Sequence, residues 1–134
     1  MVLGFKPQFV EKIKYGSKNH TIREDQKNRW KVGNKIHFAT GIRTKKYNQF
    51  ADGICTLIEP IEIKYRIDGR QKTADVFVNN ELLGQAIWFD EKLKNCSFSV
   101  DMLCANDGFS NSNDFFEWFN QDFKGKLIHW GLVS

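Results

Sequence analysis

Residues 61–67 set Ile61, Ile63, Tyr65 and Ile67 in strict alternation with Glu62, Lys64 and Arg66, and they run directly into Asp68-Gly69. A period of two puts the apolar set on one face of an extended strand and the charged set on the other. Asp-Gly after such a run signals a tight turn, because glycine adopts positive φ without steric cost. Ala74 to Val78 reads as the return strand, closed by Asn79-Asn80. A two-stranded hairpin is marginal alone, so the rest of the chain has to cover its apolar face.

Further strands are expected at Thr21-Ile22-Arg23, at Ile36 to Ala39 after the Gly33-Asn34 turn, at Ile87 to Phe89 and at Lys126 to Trp130. Ile54 to Ile67 is strand-like throughout, with Pro60 expected to split it or to mark a bulge. Lys6 to Gly16 predicts a short helix. Pro7 suits its first turn, Phe9, Val10 and Ile13 share a face, and Gly16 suits its stop. Two later helices are expected, around Ser99 to Ala105 and around Ser112 to Gln121. In the second, Phe115, Trp118 and Phe119 form the predicted core face. Asn106-Asp107-Gly108-Phe109 reads as a turn between them.

Gly41 to Asp52 has no clear periodicity and holds Arg43, Lys45, Lys46, Tyr47 and Phe50, which predicts a mobile basic flap. Five to six short strands with helices near both ends indicate the α+β class, and curling into a small barrel would remove most free edges. At 134 residues, with neither repeat nor linker, the expectation is one domain over 1–134.

Hydrophobic content of 41% and charged content of 27% are those of an ordinary globular protein. No apolar run approaches the roughly 20 residues of a membrane helix, and residues 1–5 lack the pattern of a signal peptide. A cytoplasmic protein without a membrane partner is expected. Cys55, Cys96 and Cys104 form no close pair, and His20, His37 and His129 are scattered, so neither a metal site nor a cofactor is expected. No motif sets an oligomeric state, and a monomer is assumed.

Charge is unevenly divided. Residues 1–50 hold 12 Lys or Arg against three acidic residues, whereas residues 51–134 hold eight against 13. A basic half of this kind suggests a surface that attracts phosphates. Arg43-Thr44-Lys45-Lys46-Tyr47 interleaves cations with a ring, as a single-strand nucleic-acid surface does. The alternative is that these lysines only solvate the surface.

Two separated stretches carry a resemblance. Gly16-x-Lys18-x-x-Thr21-x-Arg23, with Trp30-x-x-Gly33-x-x-Ile36 after it, resembles the N-terminal signature of ASCH domains in the PUA-like superfamily. Ala105-Asn106-Asp107-Gly108-Phe109 and then Asp114 to Phe119 is similar to the family's second signature. The resemblance implies a PUA-like mixed β-barrel with flanking helices and a cleft lined by the Lys-Thr segment. It further implies RNA or a modified nucleoside as partner. Some small members are amidohydrolases that remove the acyl group of N4-acetylcytidine, using a lysine, a threonine and a glutamate. On this sequence the lysine and threonine correspond to Lys18 and Thr21. Asp107 takes the glutamate's place, one methylene shorter. Arg23, Arg43, Lys45, Lys46 and Tyr47 are then the candidate residues for binding substrate or nucleic acid.

Overall fold

The alternating stretch belongs to a strand of 21 residues, three times its length. In the computed structural model, which describes residues 1–133, the strands are β1 (Val2–Gly4), β2 (His20–Arg23), β3 (Lys35–Thr40), β4 (Asn48–Asp68), β5 (Gln71–Val78), β6 (Glu81–Phe89), β7 (Lys92–Cys96) and β8 (Phe123–Val133). A 3-10 turn over Pro7–Phe9 leads into α1 (Val10–Lys14), and α2 (Phe98–Asn106) and α3 (Ser112–Trp118) come between β7 and β8.

All eight strands join one mixed sheet, and its organiser is β4. One edge of β4 pairs with β8 from Asp52 to Ile63. The other edge is shared in succession, by β3 up to Ile54 and by β5 from Ile61 onward. The sheet therefore forks. One arm runs through β3 to β1, which is parallel to it, and the other through β5 and β6 to β7. β2 pairs only with β8. Among the described residues no ladder joins the arms to β2, so the sheet is open and the expected barrel closure is not formed. The strand count also exceeds the expected five to six, and the broad α+β reading stands.

Two-residue turns account for the extra strands. Asn79 and Asn80 have φ 55° and 64°, and Asp90 and Glu91 have φ 50° and 66°. This left-handed pair geometry matches the twist of a tight hairpin. The first turn extends β6 back to Glu81, well before Ile87, and the second creates β7, which was not expected.

Pro60 neither splits β4 nor marks its bulge; the register slips between Cys55 and Leu57. The Pro60 carbonyl accepts from Asn79 N–H at 2.9 Å, on the side where β5 has just ended at Val78. The missing proline N–H faces that same side, so no ladder bond is lost there. The expected flap is shorter as well. Gly41 to Tyr47 forms a turn in which Thr44 donates to the Gly41 carbonyl, and residues 48–52 are already strand.

Ile36, Phe38, Ile61, Ile63 and Phe115 are fully buried in the core. Phe38 packs edge-on to Trp130 at 4.9 Å, and Phe115 meets Phe116 at 5.0 Å. The buried face of α3 is rotated from the expected one. Ser112, Phe115 and Phe116 face inward at helical spacing, while Trp118 is 45% exposed. No helix among the described residues is long and apolar enough to cross a membrane.

Candidate functional site

The site is built where α2 ends. Gly108 has φ 92°, its N–H donates to the Ala105 carbonyl, and Phe109 N–H donates to Cys104. This is the Schellman arrangement, with glycine at the position that needs a left-handed backbone. A helix end still leaves carbonyls without partners and carries partial negative charge. Two lysines complete it. Lys18 Nζ donates to the Asp107 carbonyl at 2.6 Å, and Lys12 Nζ to the Gly108 carbonyl at 2.6 Å. A Cβ on Gly108 would come within 2.9 Å of Lys18 Cδ, so the glycine also makes room for the lysine.

Lys18 is only 3% exposed and spends all three N–H donors on protein groups. Besides the Asp107 carbonyl they reach the His20 carbonyl at 2.9 Å and Asp107 Oδ1 at 3.4 Å. Phe9 and Phe5 pack against the ammonium at 4.9 and 5.7 Å from their ring centres. Burial brings the Lys18 pKa down from 10.5 to about 8, against the opposing pull of the Asp107 carboxylate. Asp107, 2% exposed, also takes His20 Nδ1 at 2.9 Å on the same Oδ1.

β2 then separates the side chains by face. Thr21 and Arg23 point the same way, and Arg23 Nε donates to Thr21 Oγ1 at 3.3 Å. Arg23 also donates through Nη2 to the Gly4 carbonyl at 2.7 Å and lies over Phe5 at 5.1 Å. Burial lowers its pKa, with Asp107 opposing. Lys18, Thr21, Arg23 and Asp107 all line one cavity of about 390 Å³. Phe5, Phe9, Phe109, Trp118 and Phe119 supply its aromatic walls. That volume falls in the lower part of the range of small-molecule sites, about 300–1,000 Å³.

The basic segment is set apart from it. Arg43, Lys45, Lys46 and Tyr47 are exposed on the β3–β4 turn, and only Gly41 and Ile42 of that turn reach the cavity. Trp88 and Trp130 are buried and offer no stacking surface. Trp118, assigned to the core from the sequence, borders the cavity instead, with Lys6 Nζ 4.8 Å above its ring.

No family model, no curated protein and no solved structure matches the chain.

His20 is the residue that the sequence reading missed. It lies inside the Lys18–Arg23 motif, but alternation turns it away from Thr21 and toward the Asp107 carboxylate and His129. The i, i+1 relation to Thr21 was the available signal. No group of three or more His, Cys, Asp or Glu side chains suited to holding a metal occurs among the described residues. The cavity thus offers a desolvated ammonium, a guanidinium with unspent donors, a hydroxyl and flat apolar walls. Such a set can hold a planar ligand by stacking while donating to its carbonyl or ring-nitrogen acceptors.

Proposed function

We propose that the chain is an ASCH-type, PUA-like domain whose cavity binds a nucleobase derivative, either free or as an unpaired residue of RNA. The carrying observation is that the buried Lys18 and the half-buried Arg23 share a cavity of about 390 Å³ with five aromatic side chains. Stacking of a base on an aromatic ring contributes about 1–3 kcal/mol and tolerates any base, because each has a π-face. Arg23 has five N–H donors and spends two on Thr21 and Gly4, which leaves a fork for carbonyl and ring-nitrogen acceptors. The family assignment rests on the two sequence signatures. A nucleoside enters this cavity whole, whereas RNA would reach it with one base turned out and its backbone toward the basic turn.

A second reading is hydrolysis of an N4-acylated cytidine, favoured by one observation. A Lys18 pKa of about 8 leaves roughly a tenth of the lysine neutral near pH 7, by the usual titration relation. A neutral Lys18 would take the Thr21 proton as Oγ1 attacks the acyl carbonyl carbon. The amine would leave with a proton, and water would release the acid from the threonine ester. No hydrogen bond joins Lys18 to Thr21 among the described residues, and all the lysine donors are spent on protein acceptors. Binding is therefore the primary reading.

The deciding experiment incubates the purified protein with N4-acetylcytidine and, separately, with labelled single-stranded RNA. Saturable binding of the nucleoside without turnover supports the primary reading, and release of acetate supports the second. If neither ligand binds and no acetate appears, both are wrong.

A further inference from the structure

On the opposite face of β2 lies a second cavity, of about 570 Å³, with a different chemistry. His20 and His129 are cross-strand partners in the β2–β8 ladder, and their rings meet edge to face at 5.2 Å. His20 Nδ1 lies 2.9 Å from Asp107 Oδ1, and His129 Nε2 lies 2.8 Å from Glu59 Oε1. A carboxylate only accepts, so both contacts are N–H donations, and each fixes its imidazole in one tautomer. The remaining nitrogens, Nε2 of His20 and Nδ1 of His129, are then acceptors. Neither has a hydrogen-bond partner among the described residues.

His20 is 3% exposed and lines this cavity. No Lys or Arg lines the space, while Leu57, Leu83, Met102 and Leu103 provide apolar walls. Glu59 adds negative charge, its second oxygen being held by Asn79 Nδ2 at 2.6 Å. Burial, and then proximity to His20, keeps the His129 pKa below the usual imidazole value. Two acceptor nitrogens backed by two carboxylates, in an apolar space without a cation, match one ligand chemistry. An anion would meet no cation there and would face the Glu59 carboxylate, and a neutral hydrocarbon would leave the imidazole nitrogens dry and unpaired.

We infer that this second cavity is a binding site for a small organic ammonium ion with an apolar body. The ammonium donates to His20 Nε2 and His129 Nδ1, and the body rests on Leu57, Leu83 and Met102. The site lies apart from the first cavity and is linked to it through Asp107, whose Oδ1 touches both Lys18 and His20.

The test uses benzylammonium as the probe and benzoate as its counterpart of similar shape and opposite charge. Imidazole nitrogen resonances of the intact protein are followed by NMR through both titrations. Benzylammonium is expected to shift the His20 and His129 resonances saturably, and benzoate to leave them in place. Glu59→Gln keeps the shape of the site and removes one nearby opposite charge, and should weaken benzylammonium binding by about tenfold. Absence of a saturable shift with benzylammonium, or equal shifts with benzoate, overturns the proposal. The wild-type pair of titrations decides this even if the variant folds poorly.

Discussion

Lys18 and Asp107, 89 positions apart, meet twice: Nζ donates to the Asp107 backbone carbonyl at 2.6 Å and lies 3.4 Å from its carboxylate oxygen Oδ1. One lysine thereby caps the C-terminus of α2 and balances a buried carboxylate. The two sequence signatures are joined physically at this point, and the first cavity opens beside it.

Removing the ammonium leaves the Asp107 backbone carbonyl without its donor and the buried carboxylate with His20 as its remaining partner. Lys18→Met should destabilise the protein by about 3–5 kcal/mol, the cost of breaking one side of a buried ion pair. Urea unfolding monitored by tryptophan fluorescence measures it. A loss under about 1 kcal/mol would place the ammonium in water, where ion pairs contribute little.

Lys18 also gives stability a signed dependence on pH. Between about 8 and 10.5 the unfolded lysine holds a proton that the native one has released, so its contribution rises with pH across that window. Burial works the other way on the thiols. It pushes Cys96 from 9.0 up to about 11 and Cys104 up to about 12, so their contribution falls above pH 9. Wild-type stability should therefore peak near pH 8–9. Subtracting the Lys18→Met profile removes the thiols. The difference should shift by about 3 kcal/mol in favour of wild type between pH 7 and 10.5. A flat difference would contradict the buried position of Lys18.

Gly108 is tested by a single methyl group. Alanine there must hold φ near 92°, and its Cβ would press on Lys18 Cδ at 2.9 Å. The left-handed backbone costs about 1–2 kcal/mol and the overpacking about 1–3 kcal/mol more. Gly108→Ala should thus lower the melting temperature and weaken nucleoside binding together, because displacing Lys18 disturbs the cavity wall. An unaffected affinity would show that the lysine position does not matter to the ligand.

The exposed turn separates nucleoside from polymer. Neutralising Arg43, Lys45 and Lys46 together should leave nucleoside affinity unchanged, since none of them lines the cavity. Affinity for single-stranded RNA should fall, and its log–log salt slope should become shallower by about two units for three lost phosphate contacts. Filter binding at several salt concentrations reads both. An RNA affinity indifferent to salt and to the triple change would remove the turn from any role in nucleic-acid binding.

Much of the sheet was legible because alternation reports directly on a strand that buries one face. β4 near Ile61–Ile67 and β3 near Phe38 show it most clearly. β7 was not legible. Lys92 to Cys96 is an edge strand with little buried surface, and an edge needs no apolar face. The α3 face was misplaced because all six residues from Asp114 to Phe119 are acidic or aromatic, so several phases of the helix look amphipathic. For the cavity, the spacing of Lys18, Thr21 and Arg23 was visible. Its meeting with Asp107 depends on a tertiary contact between β2 and the end of α2, which no local pattern encodes.

The most direct test of the central claim is a calorimetric titration of N4-acetylcytidine into the wild-type protein and into Arg23→Met, which keeps the length of the stem and removes the donor fork. Saturable one-to-one binding to wild type, weakened at least about tenfold in the variant by loss of charged hydrogen bonds, is the predicted result. Equal affinity in both proteins, or no binding to the wild type, would contradict it.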